Sequence, residues 1–246
     1  MRAMNVFRVL TGSGLMVLGL AATPALASPL ILNGSFEAGF ASWVRSDQLG
    51  SEGSFLLQTG TTSPVTGFSV PAPTNGTRAA MTDAEGPGSH VLYQDFVVPV
   101  GTLGGFVAFD LFIGNRATAF STPNTLDFAT PALNQRARVD IMSVPSDPFG
   151  LGSSVLANLF QTAVGSPLVT GYNALTIDLS ALLAANAGNT LRLRFAEVDN
   201  VNLFQFGVDN VRLEALDHVI PEPATLTLLG LGLVSGLVRR RRRSAR

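Results

Sequence analysis

Short apolar runs separated by glycine and proline are the feature that most limits how the central part of this chain can fold. The 246 residues include 25 Gly and 14 Pro, two residue types that interrupt helices and mark turns. The segments between them are rich in Val, Phe, Thr and Leu, and none shows a long 3.6-residue apolar period. The pattern predicts an all-β domain built from short strands.

The apolar runs and turn signals predict nine strands, with one or two helical turns at 180–186. Ser180 is the expected cap at the start of this helix, and Gly188 marks its expected end. Nine short strands favour an antiparallel β-sandwich, with the long polar loop 115–135 at its rim. The predicted strands are residues 54–59, 77–82, 90–98, 105–113, 137–144, 155–161, 172–179, 190–197 and 205–215.

Charge is distributed unevenly along the chain. All sixteen basic residues are Arg, and half of them lie in the two terminal segments. Residues 28–220 hold eight Arg and sixteen acids, a formal charge of −8, although the whole chain carries only −1. This asymmetry is typical of a processed or membrane-engaged chain with an acidic body, and it does not favour nucleic-acid binding. The absence of Cys excludes disulfides, thiolate metal sites and a cysteine nucleophile.

The N-terminal segment has the pattern of a secretory signal peptide. Arg2 and Arg8 precede an apolar run over 9–22, and Ala25-Leu26-Ala27 supplies the small residues of a cleavage site. We therefore expect a signal helix within residues 1–27, cleaved after Ala27. The alternative is an uncleaved N-terminal anchor.

The C-terminal segment combines Pro221-Glu222-Pro223, an apolar stretch over 224–238 and a basic cluster. As a helix, this stretch would span about 22 Å, which is short for a hydrocarbon core of about 30 Å. The predicted transmembrane helix is thus marginal, and the basic tail 239–246 is expected on the cytoplasmic side. The cluster consists of Arg239, Arg240, Arg241, Arg242 and Arg243.

In this order, residues 219–246 resemble the PEP-CTERM sorting signal of Gram-negative bacteria. The resemblance implies recognition by an exosortase, a membrane-embedded cysteine transpeptidase, while the chain is transiently anchored in the inner membrane. It further implies removal or exchange of the tail and delivery to the cell surface or the exopolysaccharide matrix. A plain C-terminal anchor is the alternative interpretation.

A second resemblance covers most of residues 30–215. Leu32-Asn33-Gly34-Ser35-Phe36-Glu37, followed by Trp43, and the late segment Val208-Asp209-Asn210-Val211 are similar to motifs in the first and last strands of the galactose-binding-like jelly-roll sandwich. That sandwich occurs in carbohydrate-binding modules. The resemblance implies a jelly-roll-like domain over 28–218, with binding of an extracellular polysaccharide as an alternative function to a matrix role. Asn210 stands where a second Asp is common.

The same resemblance implies a structural calcium site at Glu37 and Asp209, where the first and last strands meet. Calcium prefers six to eight oxygen ligands and accepts backbone carbonyls. The alternative is that both carboxylates form structural hydrogen bonds. No other cofactor is implied, and the ligand-binding residues are not predicted.

No catalytic signature occurs, so the domain is predicted not to be an enzyme; an extracellular hydrolase is the weaker alternative. Asp110, Asp140 and Asp178 are expected to face solvent or a rim. His90, at the start of a strand, and His218 have no sequence-adjacent partner that would make either a general base. Trp43 is expected to be buried, whereas Tyr93 and Tyr172 could pack on a sheet or contact a ligand.

Overall fold

Eleven strands and one short helix make up residues 27–217, the part of the chain that this computed structural model describes. The strands form two antiparallel sheets, which confirms the predicted β-sandwich. In chain order the elements are β1 (Ala27–Pro29), β2 (Val44–Asp47), β3 (Ser54–Thr59), β4 (Arg78–Asp83), β5 (Gly88–Val97), β6 (Thr102–Asn115), β7 (Gln135–Ser143), β8 (Val155–Gln161), β9 (Asn173–Asp178), α1 (Ser180–Ala185), β10 (Thr190–Asp199) and β11 (Phe204–Asp217).

Strand β11 organises the six-stranded sheet. The order in this sheet is β3-β4-β11-β6-β9, and β1 also pairs with β11. Strand β6 follows β11 on one side, whereas β4 and β1 share its other side, with β4 at residues 207–208 and β1 at residues 214–216. The second sheet has five strands in the order β2-β5-β10-β7-β8. The last strand of the domain is therefore an interior strand with partners on both sides.

All nine predicted strands are present, with ends shifted by a few residues. The sequence did not predict β1 and β2, which are three and four residues long and lack an apolar alternation. The proposed cap of α1 was wrong: the amide of Ser180 donates to Asp178 Oδ1 at 2.8 Å, and the Ser180 hydroxyl lies against Gly105 instead. Gly188 follows the helix with φ +84°, a backbone angle that favours glycine.

Aromatic rings join the two sheets in the core. The Trp43 ring centroid lies 5.4 Å from that of Phe36 and 6.0 Å from that of Phe195, which in turn meets Phe109 edge-on at 5.6 Å. All four side chains are buried. Since burial of one such side chain contributes roughly 1.5–3 kcal/mol, phenylalanine serves this domain mainly as core material.

The predicted signal helix and the predicted C-terminal transmembrane helix belong to segments outside the described residues, apart from Ala27. Within residues 27–217, no helix is long and apolar enough to cross a membrane.

Candidate functional site

The two predicted jelly-roll motifs contact each other directly. The Val211 amide donates to the Gly34 carbonyl oxygen at 2.9 Å. Asn33 has φ +51°, and its side-chain amide donates to the carbonyls of Gly39 and Ala41, both at 2.9 Å. The Trp43 indole N–H donates to the Asn33 carbonyl at 3.0 Å. The first motif is thus a tight turn held against the last strand.

Glu37 connects this turn to the segment 74–78 by hydrogen bonds. Its carboxylate accepts hydrogen bonds from the backbone amides of Thr77 and Arg78, both at 2.8 Å, and from the Thr77 hydroxyl at 3.0 Å. The hydrogen bond from the Thr77 amide is the main reason that the pKa of Glu37 lies below its usual value. Glu37 therefore holds the end of this loop in place.

Asp209, on the interior strand β11, binds the beginning of the same loop. It is fully buried, and its Oδ2 accepts from the amides of Thr74 at 2.7 Å and Asn75 at 2.8 Å. Its Oδ1 accepts from the Asn210 amide at 2.7 Å. Burial raises the pKa of Asp209, and the hydrogen bonds from Asn75, Asn210 and Thr74 counteract that rise.

The structure thus brings Glu37 and Asp209 to one loop, and both carboxylates accept hydrogen bonds from its amides. Calcium binding by this pair stays a prediction. Asn210 bridges the site: its side-chain amide donates to Asp110 Oδ2 at 3.2 Å, and its Oδ1 accepts from Asn75 at 3.1 Å. An amide at position 210 therefore pairs with the Asp110 carboxylate, which a second carboxylate at that position would repel.

The prediction that Asp110 and Asp140 face solvent or a rim was wrong, whereas Asp178 is exposed. Asp140 is fully buried and accepts from Arg138 Nε at 2.7 Å and Arg194 Nε at 3.1 Å. Burial alone would raise the pKa of Asp140, but the Arg138 hydrogen bond and the two guanidinium charges lower it. Loop carbonyls of Pro148 and Gly150 also accept from Arg194, so this loop covers the outer face of the five-stranded sheet.

None of the three Trp and Tyr side chains stands free on the surface. Trp43 is buried, as predicted. Tyr172 is largely covered, and its hydroxyl donates to Gln58 at 2.8 Å. The guanidinium of Arg192 lies 3.8 Å from the centroid of the half-buried Tyr93 ring. Both tyrosines therefore make sheet-packing contacts.

A polar cluster that the sequence did not predict lies at one end of the sandwich interior. His90 on β5 stands opposite Glu197 on β10, and Asp199 stands opposite Gly88 in the same strand pair. One ligand atom from each of His90, Glu197 and Asp199 lies within 4.8 Å of the others. Within residues 27–217 this is the one such group of three or more.

His90 has a side-chain partner that its sequence neighbours did not suggest. Its Nδ1 lies 2.7 Å from Asp47 Oδ1, at the end of β2. His90 lies near the beginning of β5, as predicted. Its partner comes from elsewhere in the chain, because β2 pairs with β5 and brings Asp47 opposite His90. His218 lies outside the described residues.

Both acids of this cluster are held toward their neutral forms. Burial raises the pKa of Asp199 to about 7, although the Gly88 amide donates to its Oδ1 at 2.8 Å. Burial, and then the nearby Asp199 charge, raise the pKa of Glu197 well above its usual value. Asp199 also borders a surface cleft of about 310 Å³ that is lined by residues 85–87 and 199–203.

The strand pattern contained a signal for this cluster. Leu191, Leu193 and Phe195 alternate toward the core along β10, and continuation of the alternation places Glu197 and Asp199 on the same inward face. Acids on a core-facing register mark a buried polar site. The pairing with His90 could not be predicted because it depends on the register between two strands that are distant in sequence.

Comparison with known proteins identifies the C-terminal segment. Residues 219–243 match the family described as "PEP-CTERM protein-sorting motif". The chain carries a PEP-CTERM protein-sorting motif. Pro221, Glu222, Pro223 and the arginines 239–243 all fall within the match, although they lie outside the described residues. The motif implies an exported protein that is sorted by an exosortase.

Curated proteins give no significant sequence match to this chain. Among solved structures, the K3 cleaved adhesin domain of Lys-gingipain from Porphyromonas gingivalis is similar, with 17% identity, a TM-score of 0.47 and coverage of 76% of this chain and 98% of that domain. The carbohydrate-binding module TmCBM61, solved with β-1,4-galactotriose, is 12% identical, with a TM-score of 0.42 and coverage of 76% of this chain and 97% of that module. An apo cyclase from Fischerella sp. is 18% identical, with a TM-score of 0.47 and coverage of 77% of this chain and 96% of the cyclase.

Proposed function

We propose that this PEP-CTERM protein is an exosortase-processed component of the cell surface or the exopolysaccharide matrix, delivered as one folded, non-catalytic β-sandwich. One observation carries the proposal: the sorting motif begins at residue 219, two residues after β11 ends at Asp217. Strand β11 already has its partners on both sides before the motif begins. A cut within the motif therefore leaves every pairing of the domain intact.

The charge of the domain agrees with this role. Residues 28–220 carry a formal −8, whereas both arginine-rich segments lie at the ends that processing removes. A net charge of this size keeps a released protein soluble through self-repulsion. The exported form would therefore stay dispersed until it meets its place of attachment.

Glycan binding by the sandwich is the alternative function. Its usual basis is an exposed Trp or Tyr ring that stacks on a sugar face. Here Trp43 is buried, Tyr172 is largely covered, and Arg192 lies over Tyr93. This placement favours the non-binding matrix role.

An extracellular hydrolase would need two carboxylates on opposite sides of a cleft. The cleft beside β10 is bordered by Glu85 and Asp199, whereas Glu197 is buried behind it and does not line it. Because one member of the close acid pair is closed off from the cleft, this arrangement favours a non-catalytic domain.

Intact-mass analysis of protein isolated from the producing cells tests the sorting proposal. We expect a species below the 25.8 kDa of the full chain, with one new end within residues 219–243. A matched variant with Pro221→Ala, Glu222→Ala and Pro223→Ala should keep its C-terminal segment and remain in the membrane fraction. An unprocessed 1–246 chain at the cell surface would overturn the proposal.

The same preparation tests the molecular role. We expect no saturable binding to a panel of bacterial exopolysaccharides and no release of reducing sugar from them. Saturable binding would establish the glycan alternative instead, and sugar release would establish the hydrolase.

A further inference from the structure

The cluster of His90, Glu197 and Asp199 is a built site inside the sandwich. Each of the three side chains is at most 3% exposed, and all three point inward from adjacent strands. Burial of two acids and an imidazole together is costly unless they are paired with one another or with a common cation. The neighbouring inward positions of β5 and β10 are mostly apolar, among them Leu92, Leu193 and Phe195.

Two atoms of the cluster have no hydrogen-bond partner. They are His90 Nε2 and Glu197 Oε1, and both are shielded from solvent. A buried polar atom without a partner destabilises the folded state, because its hydration is lost and not replaced. The two atoms belong to His90 and Glu197, which stand opposite each other in the β5–β10 pairing. Asp199 has a ligand atom within 4.8 Å of theirs, so a single bound ion would satisfy both atoms.

Asp47 gives His90 the orientation of a metal ligand. With Asp47 Oδ1 at 2.7 Å, Nδ1 is the position that carries the ring proton and donates it to the carboxylate. The lone pair of a neutral imidazole is then on Nε2, which points into the cluster. A carboxylate that fixes the far nitrogen of a metal-binding histidine is the usual arrangement around zinc sites.

We propose that His90 Nε2, Glu197 and Asp199 bind one divalent transition-metal ion of the zinc class. An imidazole nitrogen with two carboxylates suits zinc and its neighbours better than calcium or magnesium, which take oxygen ligands. Three protein ligands leave a fourth position of a tetrahedral ion open. Asp199 borders the cleft that is lined by residues 85–87 and 199–203, so this cleft is the expected entry path for the ion.

Gly88 provides the room that such an ion needs. A Cβ at this position would lie 2.3 Å from His90 Nε2, and the Gly88 amide donates to Asp199 Oδ1. The backbone angle of Gly88 is not one that requires glycine. A Cβ at residue 88 would also lie 2.9 Å from the Glu52 carbonyl oxygen, so a side chain here would crowd both the backbone and the proposed ligand atom.

Metal titration of the full-length chain in detergent, after treatment with a chelator, tests this site. We expect one equivalent of Zn²⁺ to bind, with a rise in the melting temperature. Glu197→Gln, which keeps the side-chain shape, and His90→Gln should each weaken binding at least 100-fold. Asp47→Asn should weaken it about 10- to 100-fold, as loss of an outer carboxylate does at other metal sites.

Two matched controls separate this site from other metal-binding groups of the chain. His218→Gln removes the other histidine, and Glu37→Gln alters the predicted calcium site. Both variants should bind Zn²⁺ as the wild type does. Stoichiometric binding that survives both His90→Gln and Glu197→Gln, or a wild type that binds no Zn²⁺, would overturn the proposal.

Cobalt substitution tests the site in the wild-type chain, so the result does not depend on whether a variant folds. Co²⁺ at the proposed site should show the intense visible bands of a four-coordinate ion with nitrogen and oxygen ligands. The weak spectrum of a six-coordinate hydrated ion would contradict the site. Trp43 fluorescence and far-ultraviolet circular dichroism monitor the fold of each variant, because the ring of this sole Trp is buried in the core.

Discussion

The carbonyl oxygen of Val211 occupies the space where a side chain on residue 34 would begin. A Cβ at Gly34 would lie 1.9 Å from that oxygen. The close approach allows the Val211 amide to donate to the Gly34 carbonyl. Two motifs almost 180 residues apart in sequence thus pack against each other because Gly34 has no side chain.

Gly34→Ala should therefore be strongly destabilising. The added methyl group meets rigid backbone rather than a movable side chain, and overpacking of this kind costs about 3 kcal/mol. For a domain of this size we expect the melting temperature to fall by roughly 6–12 °C. Thermal unfolding followed by Trp43 fluorescence gives the measurement.

Gly152→Ala is the matched control for this substitution. A Cβ at Gly152 would meet nothing within 4 Å, and its backbone angle does not require glycine. Its melting temperature should stay within about 2 °C of the wild type. Equal melting temperatures for the two variants would contradict the close approach at Gly34.

Neighbouring arginines on β10 allow a comparison between a buried and a more exposed ion pair. Asp140, fully buried, binds Arg138 and Arg194, whereas Asp95 is partly exposed beside Arg192. Asp140→Asn should cost about 3–5 kcal/mol of unfolding free energy, since buried guanidinium charges lose their counter-charge. Asp95→Asn should cost at most about 1 kcal/mol. Urea unfolding at pH 7 compares the two, and equal losses would contradict this contrast.

The contribution of Asp140 should also depend on pH in a defined direction. Its pKa in the folded state lies below the ordinary value of 3.8. The stabilisation is therefore fully present above about pH 5 and is lost as the pH falls through the ordinary value and then the lower, folded value. The difference in unfolding free energy between wild type and Asp140→Asn should shrink between pH 5 and pH 2. A constant difference would show that the carboxylate charge does not stabilise the fold.

Local patterns predicted the strands well, because alternation and turn residues are local properties of the sequence. Strands β3 and β8 have the predicted bounds, whereas β2 was missed because its four residues have no apolar side to bury. The sequence also placed Glu37 and Asp209 in one site through their motifs. The His90 cluster was not predicted, since the β5–β10 register that aligns His90 with Glu197 depends on the packing of the whole sandwich.

Calcium should raise the melting temperature relative to chelator if Glu37 and Asp209 share an ion. Glu37→Gln should remove the difference, because the carboxylate charge that would bind Ca²⁺ is lost. Glu214→Gln changes another acid on β11, five residues beyond Asp209, and should keep the full calcium effect. Identical melting curves of the wild type in calcium and in chelator would contradict calcium binding.

Asn210→Asp tests why this chain departs from the common second aspartate. Asn210 has φ +53°, a left-handed angle that both Asn and Asp tolerate, so the backbone contributes little to the expected difference. The substitution replaces a donor 3.2 Å from Asp110 Oδ2 with a second carboxylate. In chelator, we expect a loss of about 1–3 kcal/mol of unfolding free energy from the lost hydrogen bond and the repulsion.

Calcium should recover much of this loss, because the added charge strengthens an oxygen-ligand site next to Asp209. Asn173→Asp is the matched control: Asn173 is exposed on β9, and its side chain donates only to the Gly171 carbonyl, at 3.2 Å. This variant should lose less than about 0.5 kcal/mol and should not respond to calcium beyond the wild type. If Asn210→Asp matched the wild type in chelator, the Asn210 amide would not be what compensates the Asp110 charge.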